Sequence, residues 1–176
     1  MIFILAVLCF ASFGWGMRRH FRIDGPMSRY TRMTALLGAA GAALDLYLLA
    51  PLVIEWRGQA SVIVALFAAG LAIFWRAVAE TRNKGLYAIG TRGVPPRRIT
   101  TGLYRWLRHP LYLSYTLVWI ACWLASGTWI GCLPAVALGL NYAVEAWREE
   151  RDLALKLDQA DGADQVMKPG LSAKMA

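Results

Sequence analysis

Apolar residues run almost unbroken through five stretches, at about Ile2 to Trp15, Thr34 to Ile54, Ala60 to Ala79, Leu111 to Ala125 and Trp129 to Trp147. Runs that are apolar on every side predict helices buried all round, and a bilayer crossing takes roughly 17–25 such residues. The pattern predicts an all-α integral membrane protein with about five transmembrane helices. The first and fourth runs are short, and the fourth can gain length from Trp106 and Leu107. Only Ser126 to Thr128 joins the fourth run to the fifth, which predicts a C-terminal helical hairpin. With no internal repeat and no Gly-rich or Ser/Pro-rich linker, residues 1–156 are expected to form one domain, followed by a polar tail over 157–176.

The basic residues order these spans. The connection Met17 to Met33 carries five arginines, Arg76 to Arg108 eight lysines or arginines, and the chain after Trp147 five more, whereas the opposite loops carry only Arg57. Eighteen of the nineteen thus fall on one side, as the positive-inside rule requires of five spans with the N-terminus outside and the C-terminus cytoplasmic. This predicts a multi-pass protein of an inner, plasma or endoplasmic-reticulum membrane. The first run lacks a basic leader and a small-x-small cleavage site, so it is read as a retained helix rather than a signal peptide.

Composition agrees: 58% of the 176 residues are hydrophobic and 17% charged, too apolar for a water-soluble domain of this size. The net charge of +8 is explained by topology and anionic headgroups, so nucleic acid is not an expected partner. Cys9, Cys122 and Cys132 lie in apolar segments without metal-ligand spacing, and are expected to be buried thiols rather than a disulfide frame or metal site.

The hairpin has a chemical consequence. Its two legs nearly match in length at about 1.5 Å per residue, so the stretch Arg108-His109-Pro110 is expected to lie beside Glu145 to Glu150 on the basic face. Pro110 suits the first turn of a helix, whose free N–H groups point with Arg108 and His109 toward an anionic group. Glu149 and Glu150 offer acceptors for hydroxyls or a cation. A ligand with a carboxylate, a ribose diol and a positive centre suits such a set, and S-adenosylmethionine has all three.

Gly102, Tyr104, Arg108, His109, Pro110 and Tyr112, followed by Glu149, Glu150 and Leu153, resemble the Arg-His-Pro-x-Tyr and Glu-Glu-x-x-Leu signature of the isoprenylcysteine carboxyl methyltransferase family, which is similar here to the membrane phospholipid N-methyltransferases. The resemblance covers about Thr100 to Leu153. It implies a methyltransferase of membrane helices that clasps S-adenosylmethionine at the cytosolic end of the last hairpin, within about residues 100–153, and uses no Rossmann sheet. The sequence has no glycine-rich nucleotide loop after a strand, Ile89 to Gly93 being only a turn. The resemblance implies catalytic roles for Arg108, His109 and Glu149, and cofactor contacts for Tyr104, Arg108, His109, Pro110, Tyr112, Glu149 and Glu150. Members continue after the signature with a Phe-Gly-x-x-Tyr-x-x-Tyr-like segment, whereas no aromatic residue follows Leu153 here. The cover over the cofactor is therefore expected to differ.

Each candidate has a plainer alternative. Arg105, Arg108 and His109 can anchor a helix at the interface, and the glutamates can form a solvated helix end. Asp45 is an ionisable group inside a span, where function and a helix-to-helix hydrogen bond are equally good explanations. Asn141 and Glu145 share a helix face with Glu149 and either line the substrate entrance or bond a neighbouring helix. Trp56, Trp106, Trp123, Trp129 and Trp147 read as interface belts, His20 as a headgroup contact, and the small residues of Gly38 to Ala43 as a close helix crossing. The expected function is methyl transfer to a lipid or lipid-like acceptor entering from the bilayer. The alternatives are an NADPH-dependent reductase of sterol-like lipids and a non-catalytic membrane scaffold. A transporter would show a repeat or broken helices, and neither is present.

Overall fold

The computed structural model describes residues 1–20, 29–51, 59–82 and 101–166, and every regular element among them is helical. Five α-helices follow in order: α1 Ile2–His20, α2 Arg29–Leu49, α3 Ala60–Thr81, α4 Pro110–Ser126 and α5 Cys132–Val166. A one-turn 3-10 helix, Gly102–Arg105, precedes α4. Three of these helices, α1, α2 and α3, are long and apolar enough to cross a membrane, and α4 is an apolar helix of 17 residues.

The boundaries differ from the apolar runs where end chemistry overrides hydrophobicity. α1 does not stop at Trp15. It continues through Arg18 and Arg19, whose positive side chains suit the carbonyl end of a helix, to His20. α4 gains nothing from Trp106 and Leu107, contrary to expectation: Pro110 takes the first helical position, and the residue before a proline is held out of helical geometry, here His109 at φ −130°, ψ 68°. Trp106 is left exposed beside the 3-10 helix. α5 starts at Cys132 after a turn through Gly127 at φ 62°, and runs on to Val166, into the segment expected as a polar tail. The expectations for Leu52 to Ile54, Trp56, Arg57, Ile89 to Gly93, most of the basic connection before Thr101 and the last ten residues lie outside the described residues.

Successive helices alternate in direction. α4 and α5 are antiparallel, with Trp119 donating to the Tyr142 hydroxyl at 3.3 Å and Tyr112 to Glu149 at 2.6 Å. α2 and α5 are antiparallel too, since Gly41 meets Pro134 and Leu138 while Thr34 meets Asn141. α3 packs most intimately on α4, where the Cα of Gly70 sits so close that a Cβ would come within 2.9 Å of the Ser114 carbonyl and of Val118. α1 packs alongside through Phe13, which meets Phe74 of α3 at 4.7 Å and Tyr115 of α4 at 5.0 Å. These aromatic contacts form the core where α1, α3 and α4 converge. The end of α1, start of α2, end of α3 and start of α4 all lie at one end of the bundle, where α5 passes them midway.

Small residues act unevenly. In the stretch Gly38 to Ala43 it is Gly41 that permits close approach, its Cβ position lying 3.1 Å from Pro134, while Gly38 has open space around it. Cys9 and Cys122 are buried and free, as expected, but Cys132 at the start of α5 is only partly covered, a correction that follows from its place on the turn.

Candidate functional site

The local chemistry of one proline sets the site. Pro110 starts α4, no side chain caps its first turn, and the first intrahelical bond is accepted by the His109 carbonyl from Leu113 at 3.2 Å. The early N–H groups of α4 have no partner within the helix and face the chain before it. His109 therefore stands at the positive end of α4, with Arg108 next to it.

The hairpin brings the second cluster against them, as the sequence predicts. Arg108 Nη1 lies 3.2 Å from Glu150 Oε1. Both ring nitrogens of His109 face carboxylates, Nδ1 at 3.4 Å from Glu149 and Nε2 at 3.4 Å from Glu150. Tyr112, one turn into α4, donates its hydroxyl to Glu149 Oε1 at 2.6 Å. Its ring stacks on His109 at 5.5 Å on one side and on Tyr142 of α5 at 5.5 Å on the other. The stack Tyr142–Tyr112–His109 thus leads from the apolar core to the open carboxylates. Glu149 and Glu150 each keep about 45% of the side chain exposed, enough for a ligand to reach them.

The charges set the titration of the site. The hydrogen bond to Glu149 raises the His109 pKa above its ordinary 6.5; burial opposes this, and the Glu149 charge and Glu150 reinforce it. The Arg108 guanidinium holds the Glu150 carboxyl below its usual value, with His109 helping. Because the folded pKa of His109 is raised, its contribution to stability is complete below 6.5 and is lost as the pH rises through the raised value; that of Glu150 is present above 4.5 and lost as the pH falls. In thermal melts between pH 5.5 and 8.5, the native chain is expected to lose stability with rising pH relative to His109→Gln. A pH-independent difference between the two would contradict the carboxylate clamp.

Tyr104 has a different environment. Its hydroxyl is buried near Thr81, and burial foremost, opposed by the Thr81 hydroxyl and reinforced by the Glu80 and Glu149 charges, pushes its pKa up to about 12. It lies between the end of α3 and Glu149 of α5, under the open carboxylates.

Three sequence candidates fall outside this cluster. Asn141 serves helix-to-helix bonding, accepting from the Tyr30 hydroxyl and donating to Thr34 Oγ1 at 3.3 Å. Glu145 is buried and paired with Arg148 at 3.2 Å, and the Arg148 guanidinium lies over the Tyr30 ring at 4.6 Å. Both residues tie α5 to the start of α2. Asp45 is fully buried beside Cys122, about 20 Å along α4 from His109, and so lies apart from the polar cluster. The Cys122 thiol of α4 is its neighbour across the helix contact, as the helix-to-helix reading expects.

Glu80, Tyr142 and Tyr30 were missed by the sequence reading. Glu80 could have been found, because it is the one acidic residue of the mostly apolar α3. The tyrosines carry no local signal, since their roles depend on which helix they face.

The phospholipid methyltransferase family model matches residues 60–156, which takes in α3, the 3-10 helix, α4 and α5 as far as Lys156. No curated protein and no solved structure gives a match. With more than half of the chain matched, and both halves of the His109–Glu149 cluster inside that stretch, the protein belongs to the phospholipid methyltransferase family, to which the isoprenylcysteine carboxyl methyltransferases are related.

Proposed function

We propose that this protein is a membrane methyltransferase that uses S-adenosylmethionine to methylate a lipid or lipid-like acceptor reaching the site laterally from the bilayer. The observation that carries the reading is the meeting of Arg108 and His109, at the uncapped start of α4, with the open carboxylates of Glu149 and Glu150. The residues fit the cofactor by their donor set: the Arg108 guanidinium, the His109 ring and free N–H groups for a carboxylate, and the open carboxylates of Glu149 and Glu150 for an amino group or ribose diol. When bound, the cofactor supplies a methyl group activated on a sulfonium.

The chain's own residues then bind, orient and balance charge. Arg108, His109 and the first turn of α4 hold the aminoacyl carboxylate, Glu149 and Glu150 take the polar groups opposite, and Tyr112 and Pro110 shape the wall between them. The hydrogen bond to Glu149 raises the His109 pKa, which favours its charged form and suits it to holding an anion. An ionised carboxylate acceptor needs no base; an amine acceptor would hand its proton to Glu149 or to water. Proximity and in-line orientation supply the rate. The distribution of basic residues supports five crossings with the N-terminus outside and this site on the cytoplasmic face.

Calorimetric titration of the detergent-purified protein with S-adenosylmethionine, S-adenosylhomocysteine and NADPH tests the reading. Saturable binding of the first two, weakened at least tenfold in His109→Ala, is the expected result. Binding of NADPH alone would make the protein a reductase, and binding of none by a folded sample would make it a scaffold.

A further inference from the structure

The proposed site hangs on a short piece of chain that lies outside the long helices. Between the end of α3 and Pro110, the described chain makes one 3-10 turn, Gly102–Arg105, and this turn carries Tyr104 and leads into Arg108 and His109. What fixes it against the bundle is Glu80, in the last turn of α3. Glu80 Oε2 accepts the Leu103 backbone N–H at 2.6 Å, while Oε1 accepts from Arg76 Nε at 2.8 Å. A carboxylate accepting a backbone N–H at this length forms a strong, charge-assisted bond. Its side chain is only 13% exposed, so water competes weakly for it.

A second feature shows how tightly the two segments meet. Gly102 has φ 61°, a conformation that favours glycine, and a Cβ there would overlap the Glu80 carboxylate itself. The backbone thus rolls directly over the carboxylate, and glycine is the residue that allows it. Residues 80 and 102 both lie inside the stretch matched by the family model.

We infer that Glu80 is a positioning residue: through the Leu103 N–H it clamps the 3-10 turn to α3, and so holds the Tyr104 hydroxyl and the Arg108-His109 pair in register with Glu149 and Glu150. It acts through the turn and touches no reacting group. Arg76 orients the carboxylate from one turn back on α3. The inference rests on the proposed cofactor site for its functional consequence, but the clamp itself can be tested without any ligand.

The experiment compares the native chain with Glu80→Ala and Glu80→Gln in detergent, by two readouts. One is titration with S-adenosylhomocysteine; the other is the rate of tryptic cleavage after Arg105 and Arg108, at the turn itself, followed by mass spectrometry. Glu80→Gln retains an amide oxygen that can accept the Leu103 N–H, so the acceptor role predicts rescue. Expected are about a tenfold or greater loss of affinity and faster cleavage in Glu80→Ala, with both restored to within about threefold in Glu80→Gln. Thermal melts identify a variant that is merely unfolded, in which case cleavage would spread through the chain instead of rising at these two arginines, and the inference would fall. It would also fall if Glu80→Ala cleaved at the native rate, or bound as tightly as the native chain. If the native chain bound no S-adenosylhomocysteine, the cofactor reading would fail, and cleavage at Arg105 and Arg108 would still decide whether the clamp exists.

Discussion

Glu149→Ala is expected to lose S-adenosylhomocysteine binding by about 10- to 100-fold, the largest functional effect of any single substitution in the cluster. Three interactions converge on this carboxylate. It accepts from the Tyr112 hydroxyl at 2.6 Å, faces His109 Nδ1 at 3.4 Å, and has nearly half of its side chain open for a ligand. Removing it leaves the Tyr112 hydroxyl, on a residue only 8% exposed, without its acceptor. An unmet buried donor costs about 1–3 kcal/mol, and the ligand loses a charged partner besides, at about 1.4 kcal/mol per tenfold.

Glu149→Gln separates these contributions. Its amide oxygen can still accept from Tyr112, so the fold and the Tyr142–Tyr112–His109 stack should persist. The negative charge that raises the His109 pKa is gone, so the pH dependence of stability should flatten. Affinity for S-adenosylhomocysteine should fall between the native and alanine values. If both variants bound like the native protein, Glu149 would be a solvated helix end and the site would lie elsewhere. A rise in thermal stability of Glu149→Ala would likewise show that the Tyr112 hydroxyl has another acceptor.

Much of this site was legible in the sequence because its two halves are fixed by short-range constraints. Pro110 marks a helix start, and a three-residue link forces the helices it joins to return side by side, so Arg108 and His109 had to meet the level of Glu149 and Glu150. Hydrophobic length located the helices for the same reason. Helix ends were less legible: α1 outran its apolar run because Arg18 and Arg19 suit a helix end, and α4 stopped short of Trp106 because of Pro110. The roles of Asn141 and Glu145 were legible only as one of two readings, and the partner of Glu80 was not legible. Each depends on a partner from another helix or turn, Tyr30 and Thr34 for Asn141, Arg148 over Tyr30 for Glu145, and the Leu103 N–H for Glu80. Periodicity says which face a residue lies on, and nothing about what that face meets.

Glycine shows the same limit in a form that stability measurements can resolve, and the substitution expected to harm the fold most is Gly70→Leu. Gly70 lies midway along α3, where that helix crosses α4, and a Cβ alone would come within 2.9 Å of both the Ser114 carbonyl and Val118 Cγ2. The carbonyl belongs to backbone and cannot swing aside. Even Gly70→Ala must part the two helices, and overpacking of a close-packed contact costs about 1–3 kcal/mol. A leucine must part them further, displacing Phe74 and Tyr115, whose rings meet at 5.9 Å just below the crossing. Gly38 on α2 and Gly139 on α5 are chemically the same residue in the same kind of helix, but no atom lies within 4 Å of the Cβ position. There alanine should be tolerated or favoured, by up to about 1 kcal/mol from helix propensity. Thermal melts of Gly70→Ala, Gly70→Leu, Gly38→Ala and Gly139→Ala should therefore separate into two classes. Loss of the proposed cofactor site should accompany only the first, because α3 carries Glu80 and α4 follows directly on His109, and the crossing at Gly70 sets the relation between them. Equal melting of Gly70→Ala and Gly38→Ala would mean that α3 and α4 do not cross as closely as the fold requires.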